Sequence, residues 1–324
     1  MRRSLAVDLG GTHIRFRLLG DHRARPAPVL VMETGDVGSF EDALEQWREQ
    51  TRIRDELDAI GIAAAGPVVG GRVRVTNLDW TLDADTIARA CDARRCLLVN
   101  DVTAIAWALP GLGREDLRTL AAGSPADGAA RAVLAPGTGL GVSGLVPAAA
   151  GEFVAIEGEG GHRTLAAQNP REWAIVAALA ERFEHASAER ALSGPGIEAI
   201  WGAIAAIDGE RCERDKTAAE IARDAFAVRD PIAVETIAAF TGFLGSVAGD
   251  LALTLGARGG VYIAGGIVPG WGERFGARRF LERFRAKGRF RTYLSAVPVH
   301  VVTRAHPGLA GVEHLLSRGA TETP

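Results

Sequence analysis

The sequence predicts an α/β protein of two domains, each built on a central sheet. Three observations lead there. Short apolar runs alternate with helical segments along the chain. A strand, glycine turn and second strand open a unit twice, around DLGGT at residues 8–12 and around APGTGLG at residues 135–141. The length, 324 residues, is that of two domains. Two similar halves imply a cleft between them.

The elements follow in order. Leu5–Asp8, Ile14–Leu19 and Val29–Met32 read as strands. Ser39, with Asp42 three residues on, opens a helix that Ala43–Arg48 continues. Ala59–Ala64 is a short apolar strand. Asp83–Ala93 has Ile87 and Ala90 on one face and reads as a helix. Cys96–Val99 is a buried strand, and Val102–Leu109 an apolar helix stopped by Pro110. The pattern then restarts with strands at Ala132–Ala135, Val142–Val146 and Glu152–Ala155. Asn169-Pro170-Arg171-Glu172 is a helix N-terminus, with Asn as cap and Pro in the first position. Asp230-Pro231 opens a long helix in the same way. Val261–Ala264 and Val299–Val302 are the last strands, and Gly308–Ser317 the last helix. The recurrence is a duplicated unit, not a short-period solenoid.

Composition excludes several classes. Hydrophobic residues make up 47% and charged residues 24%, an ordinary globular balance. A net charge of −3 argues against a nucleic-acid surface or an anionic-membrane binder. The most hydrophobic long segment, Pro231–Gly256, carries Glu235 and Asp250, so it reads as a buried helix and not a membrane span. The N-terminal MRRSLAVDLGG has arginines but no continuous apolar stretch, because Asp8 interrupts it. Cys91, Cys96 and Cys212 lack zinc-site spacing and suit a reducing cytoplasm. Lysine occurs only at 216 and 287, neither in a P-loop pattern, so phosphate would have to be held by other means.

The glycine turns supply such means. Consecutive turn amides can point into one concavity and bind an anion without lysine. Gly10, Gly11 and Thr12 offer amides, the Thr12 hydroxyl adds a donor, and Asp8 at the strand end can hold a magnesium ion through water. Gly137, Thr138 and Gly139 repeat the arrangement. Gly265-Gly266, ending the apolar run VYIA, leaves bare backbone against which a flat ring can lie. Each has a plain alternative, as a hairpin or a tight βα turn. Asn100-Asp101, between CLLV and VTAIAWAL, is in isolation a helix cap. It also stands at a strand's C-terminal end, where α/β proteins place ligand groups.

Read together, DLGGTHIR, NDVTAIAWALP, LAPGTGLGVSGL, EGGH, SAERALSGPG and GGVYIAGGIVP, in that order, resemble the bacterial glucokinase family. The resemblance runs from residue 5 to about residue 315. It implies an actin-like ATPase (ribonuclease H-like) α/β fold, with ATP and glucose in the interdomain cleft. Residues 1–110 with 301–324 would form a small domain and residues 111–300 a larger one. It makes Asp8, Gly10, Gly11 and Thr12 the first phosphate turn; Gly137, Thr138 and Gly139 the second; and Gly265 and Gly266 the adenosine motif. Asp101 becomes the catalytic base, with Asn100 on a ring hydroxyl and Glu159, His162 and Glu189 as further glucose ligands. Asn77 and Trp80 resemble the loop that covers the sugar. Without the family, Glu159 and His162 read as a solvated loop too glycine-rich for a helix. Glu189 reads as an exposed helical residue, and Trp80 as a packed aromatic.

There are departures. Relatives have DFAP one residue after EGGH; here Thr164-Leu165-Ala166-Ala167 stands there, which questions the packing of that loop. His13 stands where many relatives have Asn. The zinc-binding cysteines of the related ROK sugar kinases and repressors are missing after His162. The expectation is a cytoplasmic, magnesium-requiring glucokinase that makes glucose 6-phosphate from ATP, the first step of glycolysis. The alternatives are a kinase of the same fold for another hexose, a non-catalytic sugar-sensing regulator, and an actin-like filament protein. Oligomeric state stays open, a homodimer among the choices.

Overall fold

The protein is described from a computed structural model covering residues 3–20, 27–76, 78–210 and 214–318. Asn77 and Cys212 lie outside these residues. The elements run β1 (Ser4–Leu9), β2 (His13–Leu19), β3 (Leu30–Glu33), α1 (Phe40–Thr51), β4 (Ala59–Ala64), β5 (Arg72–Arg74), β6 (Thr81–Asp83), α2 (Ala84–Ala90), β7 (Cys96–Asn100) and α3 (Asp101–Ala108). They continue β8 (Leu117–Ala121), β9 (Arg131–Pro136), β10 (Leu140–Pro147), β11 (Phe153–Ile156), α4 (Pro170–Phe183), α5 (Gly194–Ile207), α6 (Ala218–Phe226), α7 (Pro231–Leu255), β12 (Gly260–Ile263), α8 (Ile267–Trp271), α9 (Ala277–Arg285), α10 (Arg291–Ser295), β13 (Val299–Val302) and α11 (Pro307–Arg318). The chain divides into two compact units, Met1–Gly113 with Arg304–Pro324, and Arg114–Thr303.

The first unit has a five-stranded sheet in the order β3-β2-β1-β4-β7. β2 runs antiparallel to both of its neighbours, β3 and β1, while β4 and β7 run parallel to β1. Leu5, Val7 and Leu9 of β1 alternate onto the α1 face, against Phe40, Leu44 and Trp47. Ala6, Ala59 and Ala63 face α11 and α3 on the other side. Small residues permit that second layer: a Cβ on Gly311 would sit 1.7 Å from the Ala104 carbonyl oxygen, so α11 crosses α3 at backbone contact.

The second unit has a six-stranded sheet in the order β11-β10-β9-β12-β13-β8. Its first five strands repeat the first unit's order and directions, and β8 adds an antiparallel edge. The duplication read from the two glycine turns is therefore a duplication of sheet topology. α7 is the helix long and apolar enough to span a membrane among the described residues, but most of it is buried in this unit's core. Asp230 caps it through the Ile232 and Ala233 amides. The sequence missed three strands. β5 (RVR) and β6 (TLD) form a short hairpin whose outward residues are polar, and β8 is an edge strand with no residue fully buried. The helix expected over 83–93 is confined to Ala84–Ala90, because Asp83 serves as its cap and Asp92 turns left-handed.

Candidate active site

The first glycine turn joins β1 to β2. Thr34 ties it down from the far side of β3: its amide donates to the Thr12 carbonyl at 2.8 Å and its hydroxyl to the Gly10 carbonyl at 3.1 Å. The Gly10 amide closes the turn on the His13 carbonyl at 3.0 Å. This corrects the sequence reading at one point: the Gly10 amide, assigned to phosphate, is already spent within the turn. The amides of Gly11 and Thr12 have no backbone acceptor among the described residues, and a Cβ on Gly11 would meet nothing within 4 Å. Asp8 sits two residues before the turn. Burial pushes its carboxyl above the usual range, and the Arg15 guanidinium, 3.5 Å away, pulls the other way.

Asn100 ends β7 and caps α3. Its Oδ1 accepts the Val102 and Thr103 amides at 3.0 and 3.1 Å, and its Nδ2 donates to the Gly66 carbonyl at 3.2 Å. Capping, the alternative weighed against sugar contact, is thus what Asn100 does here; one N–H of its amide stays available to a ligand. Asp101 is the first residue of α3, half-buried, and its Oδ1 accepts the Val102 amide at 2.9 Å. The helix N-terminus favours negative charge at that point.

In the second unit the turn between β9 and β10 is crowded. The Gly137 amide donates to the Gly139 carbonyl at 2.8 Å, and the Gly194 amide, at the start of α5, donates to the Gly137 carbonyl at 2.8 Å. Gly137 therefore does not offer its amide outward, whereas Thr138 and Gly139 have no backbone acceptor among the described residues. Glu189 reaches this turn from the loop before α5. Its Oε2 accepts the Leu140 amide at 2.8 Å, and a Cβ on Gly139 would fall 2.5 Å from that same oxygen. The exposed helical Glu189 of the family-free reading is corrected: it lies in a turn, with its carboxylate held on the strand end.

The EGGH segment, expected to be non-helical, makes one 3-10 turn at Gly160–His162. Glycine is required there, because a Cβ on Gly161 would lie 2.0 Å from the Leu140 carbonyl oxygen. The segment is zipped to the Glu189 loop. Glu189 donates its amide to Gly161, Ala188 to Arg163, and Leu165 donates to Ala186, all at 2.8–2.9 Å. His162 ends between two carboxylates, Nε2 4.0 Å from Glu159 and Nδ1 4.0 Å from Glu189. Three residues that sequence spreads over thirty positions are one polar cluster, beside the second glycine turn. The doubt raised by the Thr164–Ala167 departure is answered by Leu165, which is buried in the core.

Gly265 does adopt a positive φ, 76°, and a Cβ there would lie 2.4 Å from the Pro136 carbonyl oxygen, so chain packing already demands glycine. Gly266 faces open space and lines a cavity of about 380 Å³ with Gly194, Ile197, Phe226, Ile267 and Arg274. The Arg274 guanidinium rests on the Phe226 ring, 5.0 Å from its centre. Sequence reasoning missed these wall residues, since aromatic and aliphatic residues on helices read as core. A wider hollow of about 790 Å³ runs along the β5–β6 hairpin. It carries an exposed Arg74–Asp79 pair at 3.5 Å and none of the phosphate or sugar candidates. Trp80 packs against the first unit's core. Among the described residues no group of three His, Cys, Asp or Glu side chains forms a metal cage.

A solved glucokinase from an Antarctic psychrotroph is similar over 98% of this chain and 99% of its own, with TM-score 0.87 and 32% identity. The fold and the paired glycine turns thus define an α/β kinase. A family model described as Glucokinase matches residues 5–319, and the chain belongs to the glucokinase family. It is 43% identical to a glucokinase of Aromatoleum aromaticum over 95% of this chain and 92% of that protein. It is 40% identical to one from Cupriavidus pinatubonensis over 97% and 92%.

Proposed function

We propose that this protein is a cytoplasmic glucokinase, transferring the γ-phosphoryl group of ATP to the 6-hydroxyl of glucose. The observation that carries the reading is the cluster of Glu159, His162 and Glu189, joined through the Glu189 carboxylate to the strand end beside the second glycine turn. Two carboxylates and an imidazole can accept from and donate to several hydroxyls at once, as a polyhydroxylated substrate requires. A filament-forming ATPase has no use for such a set.

The remaining roles follow from chemistry. Phosphoryl transfer is governed by positioning and by charge stabilisation, with a carboxylate to take the hydroxyl proton. Asp101 accepts the 6-hydroxyl proton, and the spare N–H of Asn100 donates to a neighbouring ring oxygen. The amides of Gly11 and Thr12, and of Thr138 and Gly139, receive phosphate oxygens. The cavity beside Gly266 accepts the nucleoside, with Phe226 and Ile267 as apolar walls. Magnesium fits Asp8. A single buried carboxylate whose charge is only partly offset by Arg15 suits an ion that keeps most of its water and takes one or two carboxylates. Bound there with ATP, the ion would neutralise charge on the phosphates.

The test is a coupled assay of ATP turnover over a panel of hexoses. Glucose as the sugar with the highest kcat/KM, consumed one for one with ATP, is the expected result. A higher kcat/KM for another hexose would reassign the substrate. Sugar binding without turnover would make the chain a sensor.

A further inference from the structure

The 159–165 segment holds two of the three members of the Glu159–His162–Glu189 cluster, yet its main chain is fixed mostly to another loop, the one carrying Glu189. Arg163 ties it elsewhere. Its guanidinium donates to the Val247 carbonyl in the middle of α7 at 2.8 Å. Val247 lies in a stretch of α7 that gathers polar ties. Gln168 donates to the Ser246 hydroxyl at 2.7 Å, Lys287 to the same oxygen at 3.3 Å, and Lys287 pairs with Asp250 at 2.5 Å. Burial pulls the Arg163 pKa down, and the Asp250 charge partly offsets this. A guanidinium taken out of water needs its acceptors, and removing either side of such a bond leaves the other unsatisfied.

We propose that Arg163 is a positioning residue for glucose. By clamping the segment to the most buried helix of the second unit, it sets where His162 and Glu159 stand relative to Glu189. The inference rests on the glucokinase reading of the cluster. Leu165 supplies apolar anchoring two residues on, so the segment folds without the clamp but with its neighbouring side chains less fixed. The effect therefore falls on the sugar and not on the nucleotide, whose turns and cavity Arg163 does not touch.

The experiment compares the full-length parent with Arg163→Met and Arg163→Lys. It reads KM for glucose, KM for ATP and kcat, glucose Kd by calorimetry without nucleotide, and Tm. Loss of one bond to a charged donor predicts a rise of about tenfold in glucose KM and Kd for Arg163→Met, with ATP KM within about twofold. Arg163→Lys keeps the charge and one donor, and should recover most of the loss, leaving glucose KM about twofold to threefold above the parent. An unchanged glucose Kd in Arg163→Met overturns the proposal. So does a parallel loss in glucose KM, ATP KM and kcat that lysine does not rescue. If Arg163→Met does not fold, Arg163→Lys decides alone: a glucose KM raised about twofold to threefold at constant ATP KM supports the clamp, and an unchanged one refutes it. A parent that does not phosphorylate glucose defeats the functional reading and this inference with it. An active parent with an unaffected Arg163→Met defeats only the clamp.

Discussion

The two glycine turns have nearly the same sequence chemistry and different surroundings. In each, the first glycine amide is consumed within the turn, by His13 in one and Gly139 in the other. Beyond that they diverge. Gly11 faces open space, and Thr34 ties the first turn through the Thr12 and Gly10 carbonyls. Gly139 is pressed by the Glu189 carboxylate, and Gly137 is bonded to the start of α5. Gly11 therefore answers no internal demand, whereas a Cβ on Gly10 would lie 3.3 Å from the His13 carbonyl oxygen. In the second turn Gly139 is the crowded glycine, because the Glu189 carboxylate bonded to the Leu140 amide stands against it.

The largest expected effect contrasts the units that carry the turns. Asp101→Asn in the first unit preserves the start of α3 while removing the proposed base, so kcat for glucose should fall by about 10²–10⁴ with glucose Kd little changed. Steady-state kinetics beside calorimetry checks it. A near-normal kcat would leave Asp101 as a helix-start residue and shift the burden to the second unit.

Next comes the crowded turn. Gly139→Ala must displace Glu189 and break its bond to Leu140, at a cost of about 1–3 kcal/mol in stability. Glucose kcat/KM should drop about tenfold or more with it. Urea denaturation and sugar kinetics read the two parts, and a loss of stability without a kinetic loss would separate the turn from sugar reading. The open turn should behave oppositely. Gly11→Ala is expected to alter stability by less than about 0.5 kcal/mol, yet to raise ATP KM several-fold because the methyl stands at the proposed phosphate position. An unchanged ATP KM would reduce the first turn to an ordinary hairpin.

Much of this was legible beforehand. The duplicated opening was visible because strand–glycine–strand chemistry is local, and the residue order of the sugar candidates was visible through family motifs. What could not be read depended on distant atoms. Nothing in SAER says that Glu189 will accept the Leu140 amide, or that His162 will stand between Glu159 and Glu189. The amides assigned to phosphate were over-counted at Gly10 and Gly137, because a turn's own closing bonds are not written in its composition. The strands β5, β6 and β8 were missed because short or edge strands carry little apolar pattern.

The smallest expected effect concerns Asp8 beside the open turn. Its carboxyl titrates higher in the native state than in the unfolded chain, so the native state binds the proton more tightly there. Stability from this group is present at low pH and is lost as pH rises from the unfolded value of 3.8 through the native one. Asp8→Asn should thus raise the urea midpoint at neutral pH, with the gain shrinking as pH falls toward the unfolded value of 3.8. A lower midpoint at neutral pH would mean that the attraction to Arg15 outweighs burial.

The most direct measurement of the central claim, that the carboxylates beside the second turn read the sugar's hydroxyls, is kcat/KM for glucose, mannose and 2-deoxyglucose. A site built to pair a hydroxyl rejects an analogue that lacks or inverts it, as 2-deoxyglucose and mannose do at carbon 2, and a partly wet site does so by about 10–10³-fold. Glucose is expected ahead by that margin, with a narrower gap in Glu159→Gln because glucose loses more than its analogues. Equal values for the three sugars with the unmodified protein would contradict it, and Glu159 and His162 would no longer stand as sugar ligands.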